Sequence, residues 1–194
     1  MPAQAPPADI QLLINRLAGA PAESYISEVF VPTACRILGS RNYTVESIRS
    51  KLREPRSAFI YFLSNYGVLT KRARTHIASV RLAEAVSRTI ADSSFEDFLG
   101  SRDSEALWES YIEVCSEDTK KVNATLDMPS IIDLTNLAFD IYEELGHGNI
   151  VAWIRDEIAE SRRCDTAFSR LVGIRTFGPK AASAALRDVA FLYE

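Results

Sequence analysis

The chain has 194 residues, 47% of them hydrophobic and 25% charged, with a formal net charge of −4. That composition suits a soluble globular protein with a real core and excludes a chain coated throughout in basic residues. It leaves room for a local basic face, which is what a nucleic acid feels.

Apolar residues recur at spacings of three and four along most of the chain, and sustained alternation is absent. This pattern predicts an all-α protein, a multi-helix globular bundle of about nine helices. The opening MPAQAPPA reads as an arm over 1–8, without the basic and long apolar regions of a signal peptide. Residues 9–18 form a first short helix. A second segment covers 22–38, with Pro32 kinking or dividing it. Thr44 opens a helix to Arg53, and Pro55 opens one carrying Phe59, Ile60, Phe62 and Leu63 to near Gly67.

The longest helix is expected over 70–91, with Ile77, Val80, Ala83, Ala85, Val86 and Ile90 inward. Ser93 with Glu96 has the spacing of a capping box before a short helix ending at Gly100. Residues 104–122 follow, with Leu107, Trp108, Tyr111, Ile112 and Cys115 as its apolar side. The polar stretch SEDTKKVNATLDM is the best internal boundary, separating a helical region 9–122 from a second over 123–194 unless the two are continuous. Pro129 then starts a helix whose stripe is Leu134, Ala138, Ile141 and Leu145, stopped by Gly146-His147-Gly148. Asn149 caps the next helix through Ser161, and Asp165 caps a short one to Val172. Trp108 and Trp153 sit among apolar neighbours at helical spacing and read as core.

Cys35, Cys115 and Cys164 are far apart and include no CxxC pair. They read as three free thiols of a reducing, cytoplasmic compartment, with neither a metal site nor a disulfide framework. His76 has no Cys or His neighbour to share a metal, and His147 between glycines reads as a helix-stop residue. No apolar run approaches the roughly 20 residues of a membrane span, so no membrane association is expected.

The most telling stretch is LVGIRTFGPKAASAALRDVAFLYE, residues 171–194. A short apolar segment enters a Thr-Phe-Gly turn, and a helix starts at Pro179, where a missing N–H costs nothing. Gly178 is expected to supply backbone angles that a side chain resists. Such a corner offers N–H groups and the positive end of a helix dipole to a phosphate. Between 161 and 187 stand Arg162, Arg163, Arg170, Arg175, Lys180 and Arg187 against Asp165 alone, a local excess of five positive charges. That segregation is the footprint of contact with a nucleic-acid backbone. Lys71, Arg72, Arg74 and Arg81 form a second basic group, read first as a solvated face.

The residues Leu171-x-x-Ile174, Thr176-Phe177-Gly178-Pro179-Lys180 and Ala182 resemble the helix-hairpin-helix element of DNA-repair proteins. The version they resemble most is that of the base-excision DNA glycosylases. Gly178 matches the second hairpin glycine, Phe177 the apolar residue between the glycines, and Ala182 the small residue that lets the helices approach. Lys180 matches the lysine that bifunctional members use as nucleophile. The resemblance implies a DNA partner held by its backbone at Arg170, Arg175, Thr176, Phe177, Gly178, Pro179, Lys180, Ala181 and Arg187. It also implies excision of a damaged base, with Lys180 attacking the sugar carbon. No cofactor is implied; the iron–sulfur cluster of some relatives needs four clustered cysteines.

Two positions depart from the family pattern. Thr176 stands where the first hairpin glycine usually stands. The family's catalytic aspartate lies beyond the second hairpin helix, whereas Asp188 lies within it, and only 14 residues follow Lys180. Two other readings therefore stand beside the enzyme: a non-catalytic DNA-binding module, and a helical protein–protein interaction protein whose hairpin is only a tight joint.

Overall fold

In a computed structural model, the structure describes residues 23–39, 42–68, 76–91, 93–117, 122, 124–161, 164–175 and 177–193. The arm over 1–8, the helix expected over 9–18, and Lys71, Arg72, Arg74, Arg162, Arg163 and Thr176 lie outside the described residues. Among the described residues there are ten α-helices and no strand. We number them α1 (Val31–Ile37), α2 (Val45–Lys51), α3 (Pro55–Phe62), α4 (His76–Ile90), α5 (Phe95–Ser101), α6 (Ser104–Glu117), α7 (Ala124–Leu145), α8 (Ile150–Ser161), α9 (Asp165–Gly173) and α10 (Pro179–Tyr193). No helix among them is long and apolar enough to cross a membrane.

Several boundaries follow from local chemistry. Thr44 accepts a hydrogen bond from the Ser47 amide, and Asn149 Oδ1 accepts one from the Ala152 amide at 2.9 Å, so both cap as expected. Pro55 and Pro179 open their helices. Gly146, at φ +72°, takes the left-handed conformation that terminates α7. Pro32 does divide its segment: a π-helical turn over Ile26–Phe30 precedes α1, and the Val31 amide reaches back to the Ile26 carbonyl. A second π-helical turn, Leu63–Val68, continues α3 to the Gly67 region.

Other expectations need correction. The capping box uses Ser94 and Asp97, one residue further on than Ser93 and Glu96. Ser93 instead donates its hydroxyl to the Ile90 carbonyl, which occupies it. Gly100 stays inside α5, and Arg102 takes the left-handed position at φ +55°. Pro129 is inside α7, whose first turn forms at Ala124. The proline accepts helical φ there, but it lacks the N–H that would bond the Thr125 carbonyl and its ring crowds that oxygen. Cys164, with no side-chain cap, precedes α9, and Asp165 is its first residue. Helix α6 is described as far as Glu117, and Val122, expected as its last residue, is not helical. Val80, Ile112 and Leu145, expected inward, are exposed at the edges of their stripes.

One continuous cluster of buried side chains runs from Phe30 to Leu192 and crosses the polar stretch before α7. Helix α7 and the π turn after α3 lie against each other at its centre. A Cβ on Gly67 would stand 2.9 Å from Leu134 Cδ1, so the absence of a side chain permits that approach. Trp108 and Trp153 are buried in the cluster, as their spacing predicts. The α9–α10 pair packs on α8, and α10 also reaches α2, where Arg49 donates to the Leu192 carbonyl. Asn149 adds a tie: its amide group donates to the Leu52 carbonyl at 2.9 Å, joining the start of α8 to the end of α2.

Candidate nucleic-acid interface

The joint between α9 and α10 is a hydrogen-bonded turn. The Phe177 amide donates to the Ile174 carbonyl at 2.9 Å, which puts Arg175 at the outer corner. The Gly178 carbonyl then accepts from Ala181 (2.9 Å) and Ala182 (3.1 Å), so Gly178 is the cap of α10. Its φ is not positive, and a Cβ there would meet nothing within 4 Å. Gly178 is therefore not required by backbone strain, contrary to the expectation from sequence.

The turn divides its residues between two roles. Phe177 is 1% exposed; its ring stacks on Phe62 at 5.9 Å and meets Tyr66 edge-on at 6.3 Å. That burial anchors the turn to the π segment after α3 and withdraws Phe177 from any surface contact. Ala182 is fully buried where α10 meets its neighbours, as a small residue at a close helix crossing should be, and Ala181 is half-buried. Gly178, Pro179 and Lys180 are exposed. Among the described residues Lys180 has no carboxylate partner.

The arginines behave differently from Lys180. Arg175 lies against Asp133 of α7: its Nε is 3.5 Å from Oδ2, and its amide donates to the same oxygen at 3.4 Å. Arg170 bonds Glu144 at 2.8 Å, stands 3.9 Å from Asp140, and lies over the Trp153 ring at 5.1 Å. Arg102 bonds Asp140 at 2.8 Å and Glu143 at 2.6 Å. One face of α7 is thus a row of carboxylates on which cations from the end of α5 (Arg102), from α9 and from the turn are seated. A shallow groove runs beside it, lined by Asn136, Asp140, Gly173 and the Asp133–Arg175 pair. Of the six basic residues that made up the excess in the sequence, this row balances Arg170 and Arg175.

Arg187 points elsewhere. Its Nη2 donates to Tyr25 Oη at 2.6 Å, its Nε donates to Asp188 at 3.0 Å, and its guanidinium lies 4.0 Å over the Tyr25 ring. Asp188 itself is 3% exposed. Tyr25 donates to its Oδ1 at 2.9 Å, and Tyr66 to its Oδ2 at 2.7 Å. Tyr66 is hydrogen-bonded in turn to Tyr61, and Asn65 donates to Tyr61 at 3.4 Å. Burial first, then the neighbouring Tyr61 and Asp188 charges, push the Tyr66 phenol well up; burial and then Asp188 push Tyr61 up. Residue spacing alone could have flagged this node. Asp188 falls on the inward stripe of α10, between Ala185 and Leu192, where a carboxylate needs partners.

No carboxylate of α7 is brought to Lys180. Asp133, Asp140, Glu143 and Glu144 are engaged with Arg175, Arg102 and Arg170, and Asp188 is enclosed by tyrosines. No family model matches the chain, and no curated protein or solved structure is significantly similar to it.

Proposed function

We propose that this chain binds the DNA backbone through the joint between α9 and α10, in a manner similar to the hairpin of base-excision DNA glycosylases. The observation that carries this reading is the placement of Lys180. It occupies the first turn of a 15-residue helix, is exposed, and has no carboxylate partner among the described residues. A cation there opposes the helix dipole, so helix stability does not account for it. A phosphate at the same corner meets the dipole's positive end and the lysine together. Gly178 and Pro179 beside it have no bulk that would keep a strand away.

Binding is the part of this reading that the geometry supports best. Base excision through Lys180 needs a carboxylate to activate the amine or to stabilise cation character on the sugar. Asp133, Asp140, Glu143 and Glu144 of α7 are already committed to arginines. Excision through Lys180 would therefore draw on a carboxylate that leaves its arginine, or on one outside the described residues.

A polarisation titration with short duplex DNA at low and moderate salt tests the proposal. Wild-type chain should bind with a steep salt dependence. Lys180→Ala should weaken binding on every sequence alike and lower the log–log salt slope by about 0.9, one phosphate contact. Borohydride reduction on abasic duplex should trap a covalent complex through Lys180 if the lysine is a nucleophile; intact binding without trapping assigns the non-catalytic form. A second reading, a helical protein–protein interaction protein, is favoured by the pairing of Arg170 and Arg175 with carboxylates and by exposed Val80, Ile112 and Leu145. Absence of duplex binding at either salt selects it.

A further inference from the structure

The second cation of the joint, Arg175, has a carboxylate partner where Lys180 has none, and its seating differs from the close pairs that Arg170 and Arg102 make with α7. Its side chain is 76% exposed, against 27% for Arg170, and its contact with Asp133 is long, at 3.5 Å. Arg170 has a 2.8 Å partner in Glu144 and lies over Trp153, so moving it disrupts packing as well as charge. Among the described residues Arg175 has no ring beneath it. It occupies the outer corner of the turn, two residues before buried Phe177, with the open groove alongside.

We propose that Asp133 is an internal stand-in for a nucleic-acid phosphate, holding Arg175 in the unbound chain and surrendering it to the DNA backbone on binding. This rests on the reading that the α9–α10 joint is a DNA-contacting surface. A carboxylate and a phosphate present the same acceptor oxygens to a guanidinium, so one can replace the other without new donors. Water screens the guanidinium, although the Asp133 side chain is only 21% exposed, and a contact as long as 3.5 Å contributes little. Seating a guanidinium on DNA also releases a condensed counterion, which the intramolecular pair does not. Exchange therefore favours the phosphate at low salt. Asp133 does not leave empty-handed: it keeps the Arg175 amide at 3.4 Å, which holds the turn while the side chain swings.

The device makes two demands that simple neutralisation does not. The carboxylate must lower affinity relative to its neutral isostere, and the effect must depend on Arg175. The test is duplex binding by wild type, Asp133→Asn, Arg175→Gln and the double variant. A remote control is Glu117→Gln, which removes one charge from the Arg88 pair on α6. Asp133→Asn should bind duplex roughly five- to tenfold more tightly than wild type at the same salt. The gain should vanish in the double variant, and Glu117→Gln should give a clearly smaller change. Circular dichroism and thermal melts of each variant establish that the fold is kept. Should Asp133→Asn perturb folding, the Arg175→Gln and Arg175→Lys pair still decides. Gln should weaken binding and reduce the salt slope, and Lys should restore the slope.

Wild-type binding with no gain in Asp133→Asn, or an equal gain in Glu117→Gln, overturns the exchange while leaving the DNA reading intact. No binding by any variant at low salt overturns both. Binding by Asp133→Asn alone supports the exchange in its strongest form.

Discussion

Two sets of carboxylates hold this chain together, and their surroundings set them opposite tasks. Asp188 is enclosed, accepts two phenol hydrogen bonds and one arginine, and ties the residues before α1 to the π segment after α3 and to α10. Most of the row on α7 is open to water: the Asp140, Glu143 and Glu144 side chains are 43%, 75% and 53% exposed, against 21% for Asp133. A buried carboxylate is costly to leave without partners, so its partners are obligatory. An exposed one is screened, so its partners are exchangeable. Helix α10 is thus fixed by its far face, while the cations at its near end stay available.

The largest effect is expected at the enclosed set. Asp188→Ala strips acceptors from Tyr25 and Tyr66 and should destabilise the fold by about 3 kcal/mol, seen as a lower urea midpoint. Asp188→Asn keeps an acceptor and should lose markedly less. A cost for Asp188→Ala no greater than that of a surface change would erase the contrast between the two sets.

Raising the pH probes the same node without substitution. Tyr61 and Tyr66 hold their protons in the folded chain above the ordinary phenol value of about 10, because burial disfavours the phenolate. The unfolded chain then binds fewer protons than the folded one, so stability is fully present below about pH 10 and falls above it. Each tyrosine contributes a slope of up to about 1.4 kcal/mol per pH unit. Chemical denaturation between pH 8 and roughly 11 measures it, and Tyr61→Phe should reduce the slope.

At the open set, Glu144→Gln should change stability by less than about 0.5 kcal/mol. A larger loss would mean that the Arg170–Trp153 stacking depends on the pair and that the row is structural. The smallest stability change is expected at Gly178→Asp. A Cβ has open space there, and aspartate is a good helix cap, so the fold should be unchanged or gain a few tenths of a kcal/mol. Duplex binding should nonetheless fall sharply, because a carboxylate would stand where the phosphate is proposed to sit. Stability and binding moving in opposite directions in one variant separates the cap from the contact.

Much of the helical layout was legible because the signals are local. Thr44, Asn149, Pro55, Pro179 and Gly146 each act within one turn of the chain, through a cap, a fixed φ or a left-handed stop. Even the misplaced capping box was off by one residue, since Ser93 and Ser94 both have an acidic residue three positions on. The candidate interface was legible only as a list of basic residues. Its geometry depends on pairs separated by 42 residues for Asp133 and Arg175 and by 26 for Glu144 and Arg170.

The amino-acid order alone therefore determined an all-α chain, the positions where most helices begin and end, and a helix opening on Pro179 and Lys180. Those features rest on backbone hydrogen bonds and dihedral preferences within a few residues. Tertiary packing alone decided that Phe177 is an anchor, that Asp188 is a buried node, and that Arg170 and Arg175 rest on α7 while Lys180 does not. Charge acts through distance in space, and only the folded chain sets those distances.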